Sequence, residues 1–144
     1  MATVSFSHRL DLTAVRALLT SPRGGVARDL LRRGLKVETQ AKRNLGGVDG
    51  PKRVDTGRLR ASINTQLISR NGAPAVIVGT NVFYALFVHD GTGLYGPRGR
   101  KITPKRAKAL RWHSKKTGRY AYAKSTRGMQ RNRFLKNALQ AARD

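Results

Sequence analysis

Val54-Asp55-Thr56-Gly57-Arg58-Leu59-Arg60-Ala61-Ser62-Ile63 opens the stretch, ending at Gly93, around which the rest of the chain is arranged. Asp55 or Thr56 can cap a short helix through its side-chain oxygen, and Leu59 and Ile63 then share one helical face. Ile63 to Ile68 and Ala75 to Thr80 read as two strands. They are joined by Ser69-Arg70-Asn71-Gly72-Ala73-Pro74, where Asn-Gly is a strong hairpin signal. Val82-Phe83-Tyr84-Ala85-Leu86-Phe87-Val88 is apolar on nearly every side, which suits a buried element, helix or strand, and His89-Asp90-Gly91-Thr92-Gly93 ends it.

Upstream, apolar spacing predicts a long helix from Val26 to Leu45, stopped by Gly46-Gly47. Val26, Leu30, Val37, Ala41 and Leu45 form its core stripe. On a neighbouring face Arg28, Arg32 and Lys36 recur every four residues, like charge beside like charge, so the face is either solvated or turned to an anion. Before it, Thr3 to Ser7 alternates as an edge strand, and Asp11 caps a helix over Leu12 to Thr20 that ends at Ser21-Pro22-Arg23-Gly24-Gly25. Gly46 to Arg53 is turn chemistry throughout.

Downstream, Leu94 to Pro104 interleaves Gly and Pro with Arg98, Arg100 and Lys101, which predicts an extended arm continuing to Lys108. Ala109 to His113 and Arg119 to Lys124 form a second hairpin around Ser114-Lys115-Lys116-Thr117-Gly118. Leu110 and Trp112 share one face of its first strand; Tyr120 and Tyr122 share a face of its second. Met129 to Arg143 closes the chain as a helix carrying Phe134, Leu135, Ala138 and Leu139.

At 144 residues and 39% hydrophobic, the chain is expected to be one domain with a core: a leader over 1–25, a long helix over 26–46, the central motif over 54–93, the arm over 94–108, and the hairpin and closing helix over 109–144. No apolar run is long enough for a membrane span, and the N-terminus lacks the basic-then-apolar order of a secretory signal. Without cysteine there is neither disulfide nor thiolate metal site. The formal charge of +23, from 30 Lys and Arg against 7 Asp and Glu, needs compensation by a polyanion or an acidic partner. Six of the seven acids lie at or before Asp90 and the last is Asp144, so of the sixteen cations from Arg98 to Arg143 all but the last few lack a carboxylate near them in sequence. Their partner is expected from outside the chain.

Motifs that could carry chemistry fail on context. Gly91-Thr92-Gly93-Leu94-Tyr95-Gly96 matches the dinucleotide fingerprint as a string, but Pro97 and Gly99 forbid the helix it must open, and no acid follows at the right distance. Asp49, Asp55 and Asp90 are too few for a two-metal nuclease, and His8, His89 and His113 share no ligand spacing. Nothing like a strained nucleophile turn supports a Ser-His-Asp arrangement. Trp112, Tyr120 and Tyr122 sit among Lys and Arg as stacking residues do in single-strand binders, but their alternation is read in favour of core packing. No catalytic residue, metal site or cofactor is expected.

The opening Val54 to Ile63, then Val78-Gly79-Thr80-Asn81 with Tyr84-Ala85, then the His89-Asp90-Gly91-Thr92 exit, resemble the neck, head-tail joining or tail-completion proteins of long-tailed bacteriophages. Ala109-Leu110-Arg111-Trp112 and the closing Arg133-Phe134-Leu135-Lys136-Asn137-Ala138-Leu139 fit the same family. Asp55, Thr56, Gly57, Arg58, Leu59, Gly79, Tyr84, Gly91, Phe134 and Leu135 carry the resemblance, which runs in order over about residues 26 to 140. Where members often have Gly-x-x-Pro before the final Phe-Leu, this chain reads Gly128-Met129-Gln130-Arg131-Asn132-Arg133-Phe134, and its arm is unusually basic.

The resemblance implies an α+β fold, with a small antiparallel sheet packed against one long helix, a C-terminal helix and an extended basic Gly/Pro arm. It implies a non-enzymatic virion protein, made in the host cytoplasm, forming a ring at the head-tail junction. A hexamer is the first expectation and a dodecamer the alternative. Stopper or adaptor connector proteins and tail-terminator or tail-tube proteins would be its neighbours, with no membrane contact. DNA carries one charge per about 1.7 Å of axis, so loose phosphate contacts would let a genome slide through the ring. Arg28, Arg32, Lys36 and Arg43 of the long helix, and Arg98, Arg100, Lys101, Lys105, Arg106 and Lys108 of the arm, are the candidates for DNA or subunit contacts. The alternative is a basic RNA- or DNA-binding protein of ribosomal or nucleoid type, for which a pI of 11.8 is ordinary.

Overall fold

The computed structural model describes residues 11–48 and 50–143. The edge strand expected over Thr3 to Ser7, together with His8, Asp49 and Asp144, lies outside them. The order is α1 (Leu12–Thr20), α2 (Gly25–Leu45), α3 (Arg58–Ser62), β1 (Asn64–Arg70), β2 (Ala73–Gly79), α4 (Ala85–Asp90), a 3-10 turn (Gly93–Tyr95), β3 (Leu110–Ser114), β4 (Arg119–Ala123) and α5 (Phe134–Ala141). The fold is α+β, with two separate two-stranded antiparallel sheets, β1-β2 and β3-β4.

Asp11 caps α1 as its sequence predicts, accepting from the backbone N–H of Thr13 at 2.9 Å and of Ala14 at 3.2 Å. The helix buries none of its residues, and Leu12, Leu18 and Leu19 are exposed. The long helix α2 spans the expected residues, but its buried positions are Ala27, Gly34, Val37, Ala41, Asn44 and Leu45. Val26 and Leu30, expected in the stripe, are only half-buried. Gly34 is the reason for the shift. A Cβ built there would meet Val76 Cγ1 at 2.5 Å and Thr65 Cγ2 at 2.7 Å. The β1-β2 hairpin therefore lies directly on the helix backbone, and Thr65 Oγ1 donates to Glu38 Oε2 at 2.7 Å.

The hairpin is tighter than the six-residue connection read from the sequence. Pairing continues to Arg70↔Ala73, and Asn71 and Gly72 alone make the turn with φ of 53° and 76°. Two positive φ values define the hairpin turn whose twist suits the strands, which is why Asn-Gly signals it.

One apolar cluster joins the C-terminal half of α2 (Val37, Ala41, Leu45) to Leu59, Ile63, Ala85, Val88, Phe134 and Ala138. Leu59 and Ile63 are buried as their spacing predicts, but the cap of α3 differs. Gly57, at φ 81°, occupies the cap position and no side chain caps the helix end. The Thr56 hydroxyl only approaches Arg58 N at 3.4 Å, while Asp55 forms an exposed ion pair with Lys115. Thus one cation of the second half does find a carboxylate within the chain, although an exposed pair of this kind contributes little.

The Val82–Val88 segment is not buried all round. Ala85 and Val88 enter the core, while Phe83 is 84% and Leu86 62% exposed and Phe87 is exposed too. A single turn and a half of helix has only one inward side, so the remaining apolar positions face out. The closing helix begins at Phe134 rather than Met129. Residues before it are held by distant backbone instead: Thr92 N donates to Met129 O and Asn132 N to Val88 O, both at 2.9 Å. Gly93 and Gly128, at φ 64° and 86°, let those two strips of backbone cross in contact.

Candidate polyanion-facing surface

Because α2 buries one side, positions spaced by four and seven on the opposite side must carry its polar residues. Arg28, Arg32, Lys36 and Arg43 all occupy that outer face and all are exposed. The two acids of the helix are already used elsewhere. Asp29 takes Arg33 Nε at 2.8 Å, and Glu38 takes Lys42 Nζ at 2.6 Å. Among the described residues no carboxylate pairs with any of the four outer cations.

Three of them converge. Arg32, Lys36 and Arg43, with Leu35, Thr39 and Gln40, line one wall of an open groove of about 430 Å³ whose other wall is Ala141 and Ala142 at the end of α5. A groove with three uncompensated cations, hydroxyl and amide donors, and no acid suits an extended phosphodiester or carboxylate chain rather than an enclosed small molecule.

The Glu38 carboxyl sits below the ordinary glutamate range, first because Lys42 donates to it and next because Thr65 does, against the opposing effect of partial burial. It stays ionised at neutral pH and acts as a structural strut between α2 and β1.

The arm cations Arg98, Arg100, Lys101, Lys105, Arg106 and Lys108 are exposed, and none forms an ion pair among the described residues. The arm does not run extended from its start as expected: it opens in the 3-10 turn Gly93–Tyr95, Gly99 N donates to Gly96 O at 3.1 Å, and Leu94 N donates to Arg127 O at 2.8 Å. Ile102 and Thr126 exchange both backbone hydrogen bonds at 2.9 Å in an isolated antiparallel bridge.

The residues that carry the family resemblance build the core and its connections. Leu59 and Phe134 are buried, Tyr84 and Leu135 pack against the cluster, Gly79 ends β2, and Gly91 terminates α4 at φ 79°. Asp55 and Arg58 are exposed. His89 is half-buried, 2.7 Å from Asp90 through Nδ1 and edge-on to the Phe134 ring. Among the described residues no three His, Asp or Glu side chains gather as a metal site would need, and no helix is long and apolar enough to cross a membrane.

Core packing does not account for the aromatic residues of β3-β4. Trp112 is 45%, Tyr120 56% and Tyr122 64% exposed, and the two strands contact mainly each other. In register, Arg111 faces Tyr122 and His113 faces Tyr120 on one side, with Trp112 opposite Ala121 on the other. The alternation was legible, but whether another layer covers the hairpin depends on distant chain segments.

No family model, curated protein or solved structure matches the chain.

Proposed function

We propose that this chain is a non-enzymatic structural subunit of a phage neck, forming a ring at the head-tail junction with its cationic face toward packaged duplex DNA or acidic neighbouring rings. The observation that carries the reading is the presence of two uncovered surfaces on one small subunit. The apolar edge at Phe83, Leu86 and Phe87 is of a kind that contacts between subunits cover. Arg28, Arg32, Lys36 and Arg43, without an ion-pair partner among the described residues, form a cationic stripe that repeats in every copy. A head-to-tail interface repeated until it closes makes a ring, and a ring of such stripes presents phosphate contacts without base readout. The resemblance of the Val54–Gly93 motif and the closing helix to neck proteins supports a place at the head-tail junction.

Native mass spectrometry of the nuclease-treated protein tests this: a single closed oligomer, a hexamer first and a dodecamer second, is expected. A monomer at every concentration overturns it. A second reading, a ribosomal or nucleoid nucleic-acid binder, is favoured by the exposed aromatic and basic face of β3-β4, and predicts a monomer that binds RNA with a steep salt dependence.

A further inference from the structure

On one side of the β3-β4 hairpin Arg111, His113, Tyr120 and Tyr122 are all exposed, while on the other Leu110, Ser114, Ala121 and Ala123 are half-buried. Arg111 lies with its guanidinium carbon 4.4 Å from the centre of the Tyr120 ring. His113 meets the same ring edge-on at 5.5 Å, and its Nε2 lies 3.1 Å from Gly118 O in the turn. Tyr120 thus carries the Arg111 guanidinium on one face of its ring while His113 packs against it. Tyr122, opposite Arg111 in register, has no such ring or cation contact among the described residues and, at 64%, is more exposed than Trp112 or Tyr120.

Charge on the hairpin has one sign. Lys108, Arg111, Lys115, Lys116, Arg119 and Lys124 fall between residues 108 and 124 with no acid among them. Only Lys115 has an ion-pair partner among the described residues, Asp55. A two-stranded ribbon of this length is marginal by itself, so an occupant that neutralises it would also stabilise it.

We infer that the face formed by Arg111, His113, Tyr120 and Tyr122 is a binding site for single-stranded nucleic acid, with a base stacked on Tyr122 and the adjoining phosphate held by Arg111. The aromatic content selects the strand type. In a duplex the base faces are covered by neighbouring bases, so an exposed phenol ring gains little from it. An unpaired base offers its face, and stacking of that kind tolerates any sequence. The site is separate from the α2 stripe, and the inference holds whether or not the subunits close into a ring.

The test is fluorescence anisotropy of the full chain with labelled oligo-dT of about 16 nucleotides, against a duplex of equal length, over a range of salt. Oligo-dT is expected to bind more tightly than the duplex. Tyr122→Ala should weaken oligo-dT about tenfold and the duplex hardly at all, and Tyr122→Phe should restore the affinity. Arg111→Ala should reduce the salt slope for oligo-dT by roughly 0.7, the contribution of one phosphate. Equal affinity for both forms, or no loss in Tyr122→Ala, overturns the inference. So does a Tyr122→Ala protein that keeps its oligo-dT affinity but loses its oligomer, because the face is then a protein contact. Ring formation by native mass spectrometry is read separately, so loss of the neck reading and loss of this site are distinguishable.

Discussion

Asn132 holds the backbone of Asn44 through its side-chain amide, and Asn44 in turn holds the backbone of Phe134, two residues beyond Asn132. Asn132 Nδ2 donates to Asn44 O at 3.1 Å and to Pro51 O at 2.9 Å, while Asn44 Nδ2 donates to Phe134 O at 3.2 Å. Gln40 Nε2 donates to Asn44 Oδ1 at 2.9 Å, and both asparagines are buried. This clamp ties the end of α2, the following loop and the start of α5 at the foot of the core. Asn132→Ala leaves the Pro51 carbonyl unpaired and should cost about 2 kcal/mol in urea unfolding. Asn132→Asp should cost more, because it buries a negative charge against the carbonyl oxygens of Asn44 and Pro51. An aspartate variant as stable as the alanine one would contradict the clamp.

The contact of Gly34 with the β1-β2 hairpin gives a prediction opposite to helix propensity. Alanine in an exposed helix interior gains about 1 kcal/mol over glycine. Here the new Cβ would press on the branched Val76 and Thr65 side chains, which are stiff at χ1. Gly34→Ala should therefore destabilise, by about 1–3 kcal/mol from overpacking. Val76→Ala removes the nearer obstacle, so the double variant should be less destabilised than the sum of the singles. A double-mutant cycle by thermal or urea unfolding reads this directly.

These two contacts also mark where the sequence stopped being informative. The turn at Asn71-Gly72, the cap at Asp11 and the extent of α2 are local, set by residues within a few positions of one another, and each is where its sequence pattern places it. Apolar spacing points the stripe of α2 to Val26 and Leu30 because glycine carries no apolar signal, although Gly34 makes the closest approach. The closing helix starts later than its pattern predicts because Met129 and Asn132 are bonded to Thr92, Val88 and Asn44, partners far away in sequence. For the surface, the outer cations of α2 followed from helical period alone. The exposure of Tyr122 did not, since the same alternation serves a covered hairpin and an open one.

Glu38 makes the link between α2 and the hairpin dependent on pH. Its folded pKa is held below the ordinary value by Lys42 and then Thr65, so the ionised form is favoured by folding. For a depressed carboxyl, the stabilisation is complete above the unfolded-state pKa and disappears as pH falls through the folded one. The stability difference between the native chain and Glu38→Gln should therefore be constant near neutrality and shrink in acid. Urea midpoints across an acid-to-neutral series measure it. A difference that grows as pH falls would assign the strut to another group.

The α2 stripe separates stability from binding. Arg28, Arg32 and Lys36 are four residues apart in turn, an arrangement that costs a few tenths of a kcal/mol per pair, and all lie on the exposed face with Arg43. Replacing all four with Gln should thus leave the unfolding midpoint unchanged or slightly raised. If the stripe faces duplex DNA, each lost phosphate contact should lower the slope of log affinity against log salt by about 0.9. Loss of all four would remove roughly three to four from that slope. Arg111→Ala, on the hairpin, should leave the duplex slope nearly intact, which separates the two surfaces in one experiment. If the Gln variant keeps the full duplex slope, the stripe is not the DNA-facing surface, and the arm from Arg98 to Lys108 becomes the set to neutralise next.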